Sequence, residues 1–383
     1  MLKDFSHRMT VMSHEAFDIA TTINLSAQQA AQALMESVQI RTFAELLRRF
    51  ASGNELRSRL VDGLCANDPE RSRESMDKKV RGWLSGKYQP TAREDLFELC
   101  FVLRMSVEEA DDFLAAAGEE GLHWRDPHEL VYAYALRKGM SYPEAWALWM
   151  RVAPAEEPGD RSGKTNSFTP LIRQEAVALE TEEELGQYLS QAAGRLGRMH
   201  NSAYQQFTAM MQVLESPDGR SGREEGRYTT REIVEQYLDK KLPSLRQGKQ
   251  LGEKHRSIFA GWPDEVTLSR MKNRKTDVTR KVLMLLFLAT DGGEEPAENW
   301  QDEDDAWEDG EENEADLAFR SSYMRMNQML AGCGYRMIDP RNPFDWIALY
   351  CMRVQDDATI MDGLNERLSH VLDVLFLSSR SEA

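Results

Sequence analysis

Cysteine is scarce in this chain of 383 residues. The four present, Cys65, Cys100, Cys333 and Cys351, lie far apart in apolar settings and form no CxxC pair. That spacing excludes a disulfide scaffold and a zinc ribbon and suits a reduced, cytoplasmic setting. Long hydrophobic runs are lacking too. The longest near-apolar stretch, 282–290, falls far short of the ~20 residues a bilayer span requires, so no membrane association is expected. Residues 1–10 mix Lys3, Asp4, His7 and Arg8 with apolar residues and offer no secretory h-region. Strand-like alternation of polar and apolar residues is missing as well.

Catalytic groupings are equally hard to find. No Ser/His/Asp or Cys/His set stands out, and the cysteines sit beside Leu, Phe and Ala, as buried structural thiols do. The string GDRSGKT at 159–165 is one residue short of a phosphate loop, and PAEEP rather than an apolar strand precedes it. His123 and His128 are five apart with Pro127 between them, a poor spacing for helical metal ligands. No enzyme, no metal and no cofactor is therefore expected.

Positive charge is in deficit. Against 64 Asp and Glu stand 47 Lys and Arg, a net charge of −17. Such a balance argues at first against nucleic acid, whose backbone repels anions. The deficit is local, however. Residues 291–316 hold 14 acids and no Lys or Arg, and the rest of the chain carries only −3. Residues 41–93 carry 12 basic and 7 acidic residues, and 220–281 carry 16 and 9. The acidic stretch is too polar to order itself and is expected to be disordered. It serves as a solubilising insertion, as a nucleic-acid mimic competing for the basic faces, or as a docking tail for a protein partner.

What is abundant is helical spacing. Phe43, Leu46, Leu47 and Phe50 share one face, as do Leu96, Leu99, Cys100 and Leu103, then Leu130, Val131, Tyr134 and Ala135, and later Leu368, Leu372 and Leu375. Tyr132, Tyr134, Trp146 and Trp149 follow the same spacing and read as core or interface. The stretches 154–170 and 216–226, rich in Pro, Gly, Ser and charge, read as linkers. An all-α protein of two helical lobes is expected. It divides into an N-terminal helical extension (1–40), a first lobe (41–153), a linker (154–170), a middle helical segment (171–215) and a second lobe (227–383) that carries the acidic insertion.

An internal repeat supports two lobes. Sliding the chain by 216 places Leu114 and Gly118 on Leu330 and Gly334, and Pro127 and Glu129 on Pro343 and Asp345. The same slide places Val131, Ala133, Ala135 and Arg137 on Ile347, Leu349, Cys351 and Arg353. Upstream, a slide of 187 puts Lys87 on Arg274, Arg93 on Arg280, and Leu96, Leu99 and Phe101 on Leu283, Leu286 and Leu288. The acidic stretch supplies the difference between the two offsets.

The sharpest local signal is 71–103, RSRESMDKKVRGWLSGKYQPTAREDLFELCFVL. Ser72 or Ser75 can cap a helix start, Val80, Trp83 and Leu84 face inward, Gly86 ends the helix, and Pro90 sits in the turn before a further amphipathic helix at Arg93. The pattern W-L-x-G-K-x-x-P-x-x-R-E-x-L-x-x-L resembles the recognition helix and following helix of Cro/phage-repressor (XRE-type) helix-turn-helix domains over about residues 41–118. The resemblance implies a helix entering the major groove of double-stranded DNA, with Ser75, Asp77, Lys78 and Arg81 near bases and Arg71, Arg73, Lys79, Lys87 and Arg93 near phosphates. The preceding helix, about 54–66, shows no clearly placed small residue, and the polar loop that follows it at 67–74 is longer than the family's tight turn.

The second copy is a diverged version that lacks the Trp and Gly. Its candidate contacts are Arg270, Lys272, Asn273, Arg274, Lys275 and Arg280. Two such faces on one chain could address adjacent half-sites, or two chains could pair as a homodimer. The expected function is transcriptional regulation of bacterial or phage type, by occupancy of an operator. The alternatives are a protein-interaction adaptor on degenerate helix-turn-helix scaffolds and a binder of structured RNA.

Overall fold

The expected helices form. In the computed structural model an N-terminal pair, α1 (Val11–Ala20) and α2 (Ala27–Glu36), leads into α3 (Phe43–Arg48), α4 (Gly53–Asn67), α5 (Arg73–Leu84), α6 (Arg93–Val102), α7 (Val107–Gly118), α8 (Pro127–Arg137) and α9 (Tyr142–Val152). A second pair, α10 (Thr169–Val177) and α11 (Glu182–Gln191), precedes α12 (Asn201–Glu215) and the short α13 (Thr230–Ile233), which widens into a π-helical turn over Val234–Leu238. Then follow α14 (Glu253–Phe259), α15 (Glu265–Lys272), α16 (Arg280–Ala289), α17 (Glu314–Gly332), α18 (Pro343–Met352) and α19 (Leu364–Leu375). The structure describes residues 11–22, 24–50, 53–90, 92–118, 120–154, 169–197, 199–216, 228–240, 242–243, 251–292, 314–353 and 363–377. Among these the fold is all-α, with a single isolated antiparallel bridge between Glu120 and Tyr335. The linkers at 155–168 and 217–226 and the body of the acidic stretch, 293–313, lie outside the described residues.

Two compact units emerge. Lobe I comprises Arg41–Ser202 with Gly332–Arg336; lobe II comprises Met1–Ile40, Ala203–Ala331 and Met337–Ala383. The N-terminal pair is therefore part of lobe II, and the middle segment 171–215 is divided, α10 and α11 going to lobe I and nearly all of α12 to lobe II. Lobe I is built around Leu47, Leu60, Val80, Trp83, Leu99 and Val131, each at most 1% exposed, and α11 adds Leu185 and Leu189 to the same core. In lobe II, α16 and α18 are buried along their whole lengths.

The repeat is present down to individual hydrogen bonds. Thr42 and Glu45 form a capping box that starts α3, and Thr229 and Glu232, 187 residues on, form the same box at α13. Arg93 of α6 binds Glu129 of α8 through Nε at 2.5 Å and Nη2 at 2.8 Å, and donates to the Gly121 carbonyl at 2.5 Å. Arg280 of α16 binds Asp345 of α18 at 2.8 and 2.7 Å and the Met337 carbonyl at 3.2 Å. The Leu122 and Ile338 amides donate to Asp111 and Asn327, and the His123 and Asp339 amides donate to Glu129 and Asp345. Even the left-handed residues that end the two helices correspond, Arg104 at φ 52° and Asp291 at φ 50°.

One registration changes. The turn after α5 closes with Gly86 at φ 72° and a Lys87 N–H bond to the Gly82 carbonyl. The turn after α15 closes with Arg274 at φ 53° and a Lys275 N–H bond to the Arg270 carbonyl. Lys87 thus corresponds to Lys275, not to Arg274. The connection to the next helix is one residue shorter in the second copy, which restores Arg93 to Arg280.

The helical pairs repeat as well. A capping box at Ser26 and Gln29 starts α2, and another at Thr181 and Glu184, 155 residues on, starts α11. Ala30 and Leu34 are buried on one, Leu185 and Leu189 on the other. Arg341 donates to the Ile40 carbonyl behind α2, and its counterpart Arg125 donates to the Arg195 carbonyl behind α11. The order along the chain is pair, lobe, pair, lobe. Yet the first pair belongs to the second lobe and the second pair to the first.

Candidate nucleic-acid interface

The α5 helix is fixed on one face and open on the other. Its start is capped by Ser72, whose hydroxyl accepts the Ser75 N–H at 3.4 Å. Val80, Gly82 and Trp83 are buried, and the Trp83 ring meets Phe43 edge-on at 6.3 Å. The Arg48 guanidinium donates to the Leu84 carbonyl at 2.9 Å, satisfying one of the acceptors left open at the helix end. A Cβ on Gly82 would meet the exposed Tyr88 ring, whose hydroxyl donates to the Lys78 carbonyl at 3.4 Å, and would push that ring aside.

Two ion pairs tie α5 to α4. Asp77 accepts two bonds from Arg57, each 2.7 Å, and Arg73 meets Asp62 at 2.6 Å. The Arg57 hydrogen bonds hold the Asp77 carboxyl below the usual carboxylate range, and Arg73 does the same for Asp62. The connection between the two helices is the five residues 68–72, shorter than the loop expected at 67–74, because α4 extends to Asn67 and α5 begins at Arg73. The small residue that the sequence pattern did not place is Gly63. A Cβ on it would stand 2.5 Å from Val102 Cγ1, so α4 and α6 approach closely there.

The expected DNA contacts sort by what they touch. Ser75, Lys78 and Lys87 are exposed. Arg73 and Arg81 are also outward, their side chains 66% and 58% exposed, the latter 3.1 Å from Asp77 one turn back. Glu74, Lys78, Arg81 and Ser85 form one stripe at helical spacing. Four expected contacts are taken up by the fold. Arg71 is bonded to the buried Glu98 at 2.5 Å and to Asp68 at 3.2 Å. Lys79 lies against Asp95 at 3.3 Å and over the Trp83 ring. Asp77 is held by Arg57. Arg93 is bound to Glu129 and to backbone carbonyls, so its donors face protein. The contact assigned to Arg93 is therefore corrected: this guanidinium is a structural cross-brace.

The second copy departs further. Its counterpart of α5 is α15, eight residues long where α5 has twelve. With the helix ends aligned, the missing residues are the first turn. Asp264 caps α15 by accepting the Thr267 N–H at 2.7 Å, and this acid stands where Met76 is found within α5. Val266, 64% exposed, replaces Lys78, and Ser269 replaces Arg81. The far end of α15 meets α12: Lys272 pairs with Glu215 at 2.6 Å, the Arg274 guanidinium stacks 4.0 Å from the Tyr204 ring, and the Tyr204 hydroxyl donates to the Lys272 carbonyl. Asn273 donates to the Ser269 carbonyl. Arg280 is 1% exposed and committed to Asp345, which removes it from any surface. Arg270 and Lys275 remain exposed.

Among the described residues no group of three or more His, Cys, Asp or Glu is placed to hold a metal ion, and no helix is long and apolar enough to cross a membrane. Burial pushes the Cys100 thiol above its ordinary range and the Cys351 thiol up to about 12. Neither is poised as a nucleophile. Compared with protein-family models, with curated proteins and with solved structures, the chain finds no match.

Proposed function

We propose that the chain binds double-stranded DNA through α5 and regulates transcription by occupying its site, with no reaction catalysed. The observation that carries this reading is the outward stripe of Lys78 and Arg81 on a helix whose opposite face, Val80 and Trp83, is locked into the core of lobe I. Such a helix presents donors to guanine edges and to phosphates without having to reorganise. Ser75 at its first turn and Lys87 in the turn beyond extend the same face. In this reading Arg73 and Lys87 position the duplex and Ser75, Lys78 and Arg81 contact bases.

Binding of the full chain to a pool of genomic duplex fragments, measured across salt, tests it. Lys78→Ala with Lys87→Ala is expected to lower affinity at least tenfold at moderate salt. It should also reduce the slope of log affinity against log salt by about one for each phosphate no longer neutralised. Unchanged affinity and slope would sink the reading. Competition with an RNA duplex of matched length separates DNA from structured RNA. A second reading, a protein-interaction adaptor, draws on Trp146 and Met150, four apart on α9 and 44% and 66% exposed. Under the DNA reading, Ala at both positions leaves duplex binding unchanged.

A further inference from the structure

We infer that each chain has one base-reading helix, α5, and that lobe II, although built on the same plan, contributes no sequence preference. The inference rests on the DNA reading of α5 and sharpens its target: one half-site per chain, not two.

Two differences, in shape and in charge, carry it, and a third observation on α15 adds to them. First, α15 lacks the N-terminal turn, the part of a recognition helix that reaches base edges. Where α5 offers Arg73, Glu74 and Ser75 before Asp77, lobe II offers Trp262, Pro263 and the capping carboxylate of Asp264. A carboxylate at that end repels phosphate, and its hydrogen bond to Thr267 holds it there with its pKa lowered, so it stays charged. Second, the two cations of the α5 stripe are replaced by an apolar and a neutral side chain, Val266 and Ser269. Third, the C-terminal half of α15 is occupied within its own lobe. Glu215 neutralises Lys272, and Tyr204 covers Arg274 while its hydroxyl bonds the backbone beneath. The same end of α5 is also held within its lobe, Arg48 donating to the Leu84 carbonyl and Lys79 pairing with Asp95, but there Lys78 stays exposed. Shape and charge thus distinguish the two copies in the same sense. Part of the basic excess of 220–281 is taken up inside the fold: the nitrogens of Lys254, Lys272, Arg280 and Lys281 bond protein carbonyls or carboxylates.

Selection of bound duplexes from a fully random pool by the full chain tests this, comparing wild type with two variants altered only at exposed positions. Lys78→Ala with Arg81→Ala is expected to erase the enriched motif. Arg270→Ala with Lys275→Ala is expected to enrich the same motif as wild type, with affinity within about threefold. If the wild-type motif is an inverted repeat because two chains bind, both halves should vanish with the α5 variant and both persist with the α15 variant. Loss of part of the motif in the α15 variant alone would overturn the inference while leaving the DNA reading intact. If wild type itself enriches no motif, sequence-specific reading by α5 fails, and the inference fails with it. Circular dichroism of each variant confirms that the helices remain.

Discussion

His123 lies buried in lobe I between charged and aromatic neighbours. Its backbone amide donates to Glu129 at 2.7 Å, and its ring stacks on His200 at 4.0 Å. Burial is the largest cause holding its pKa well below the usual histidine value, with His200, Arg93 and Arg125 adding to it. The ring is neutral in the folded lobe and protonates in the unfolded chain near pH 6.5. Below that pH the unfolded state binds more protons, so stability falls as pH falls, by at most about 1.4 kcal/mol per pH unit for this one group. The thermal midpoint of lobe I is expected to drop between pH 7 and pH 5. His123→Phe, which keeps a stacking ring and cannot be protonated, should flatten that part of the profile. A drop of the same size in the variant would show that another group is responsible. Arg93 and Arg280 carry a related lesson at the same scale. An arginine opening an amphipathic helix in a basic stretch reads as a phosphate ligand. Only the fold shows that an acid 36 or 65 residues further on has been brought beneath it.

At the scale of elements, helix pairs and lobes are matched in an order the sequence does not betray. α2 buries Ala30 and Leu34 in lobe II, and Lys254 of α14 reaches its end to bond the Leu34, Met35 and Val38 carbonyls. The Trp346 indole of α18 donates to the Ala16 carbonyl of α1 at 2.9 Å. Removing residues 1–40 should therefore unfold lobe II and spare lobe I, although lobe I is the neighbour in sequence. Hydrogen exchange by mass spectrometry would show it as loss of protection in α16, α18 and α19 with α4 to α6 unchanged; the opposite distribution would refute the assignment. The start and stop of α5 were legible, because Ser72, Gly86 and Pro90 act locally on the backbone. So was the repeat, because its Gly, Pro and Arg recur at fixed spacing. Which pair completes which lobe was not, since the apolar helical faces that carry Leu34 and Leu189 hold no mark of the core each fills. The place of Gly63 was likewise invisible until Val102 was found against it.

At the scale of the whole chain, charge is divided between separate jobs. The body is close to neutral, and the acids are gathered in 291–316. Two of them are structural: Asp291 accepts the Leu364 amide at 2.8 Å, and Asp316 pairs with Arg353 at 2.5 Å. Replacing 293–313 with a neutral Gly/Ser linker of equal length preserves both. If the acids compete for the basic face of α5, that replacement should raise affinity for duplex DNA several-fold at low salt and little at high salt, since unlike charges at a distance are screened. Equal affinity at every salt concentration would show that the stretch does not act on DNA binding.

The crossed assignment of helix pairs to lobes also sets a timetable for synthesis. α1 and α2 are made before the rest of either lobe, but α18, whose Trp346 anchors them, is completed about 300 residues later. At ~5–20 residues per second the first pair waits roughly 15–60 s with its apolar face uncovered. Lobe I, whose own pair follows it in the chain, can close over Arg41–Ser202 while the ribosome is still making lobe II, lacking only Gly332–Arg336. The nascent chain thus carries an unsatisfied amphipathic helix pair ahead of a nearly complete lobe, and α18 decides when α1 and α2 find their place.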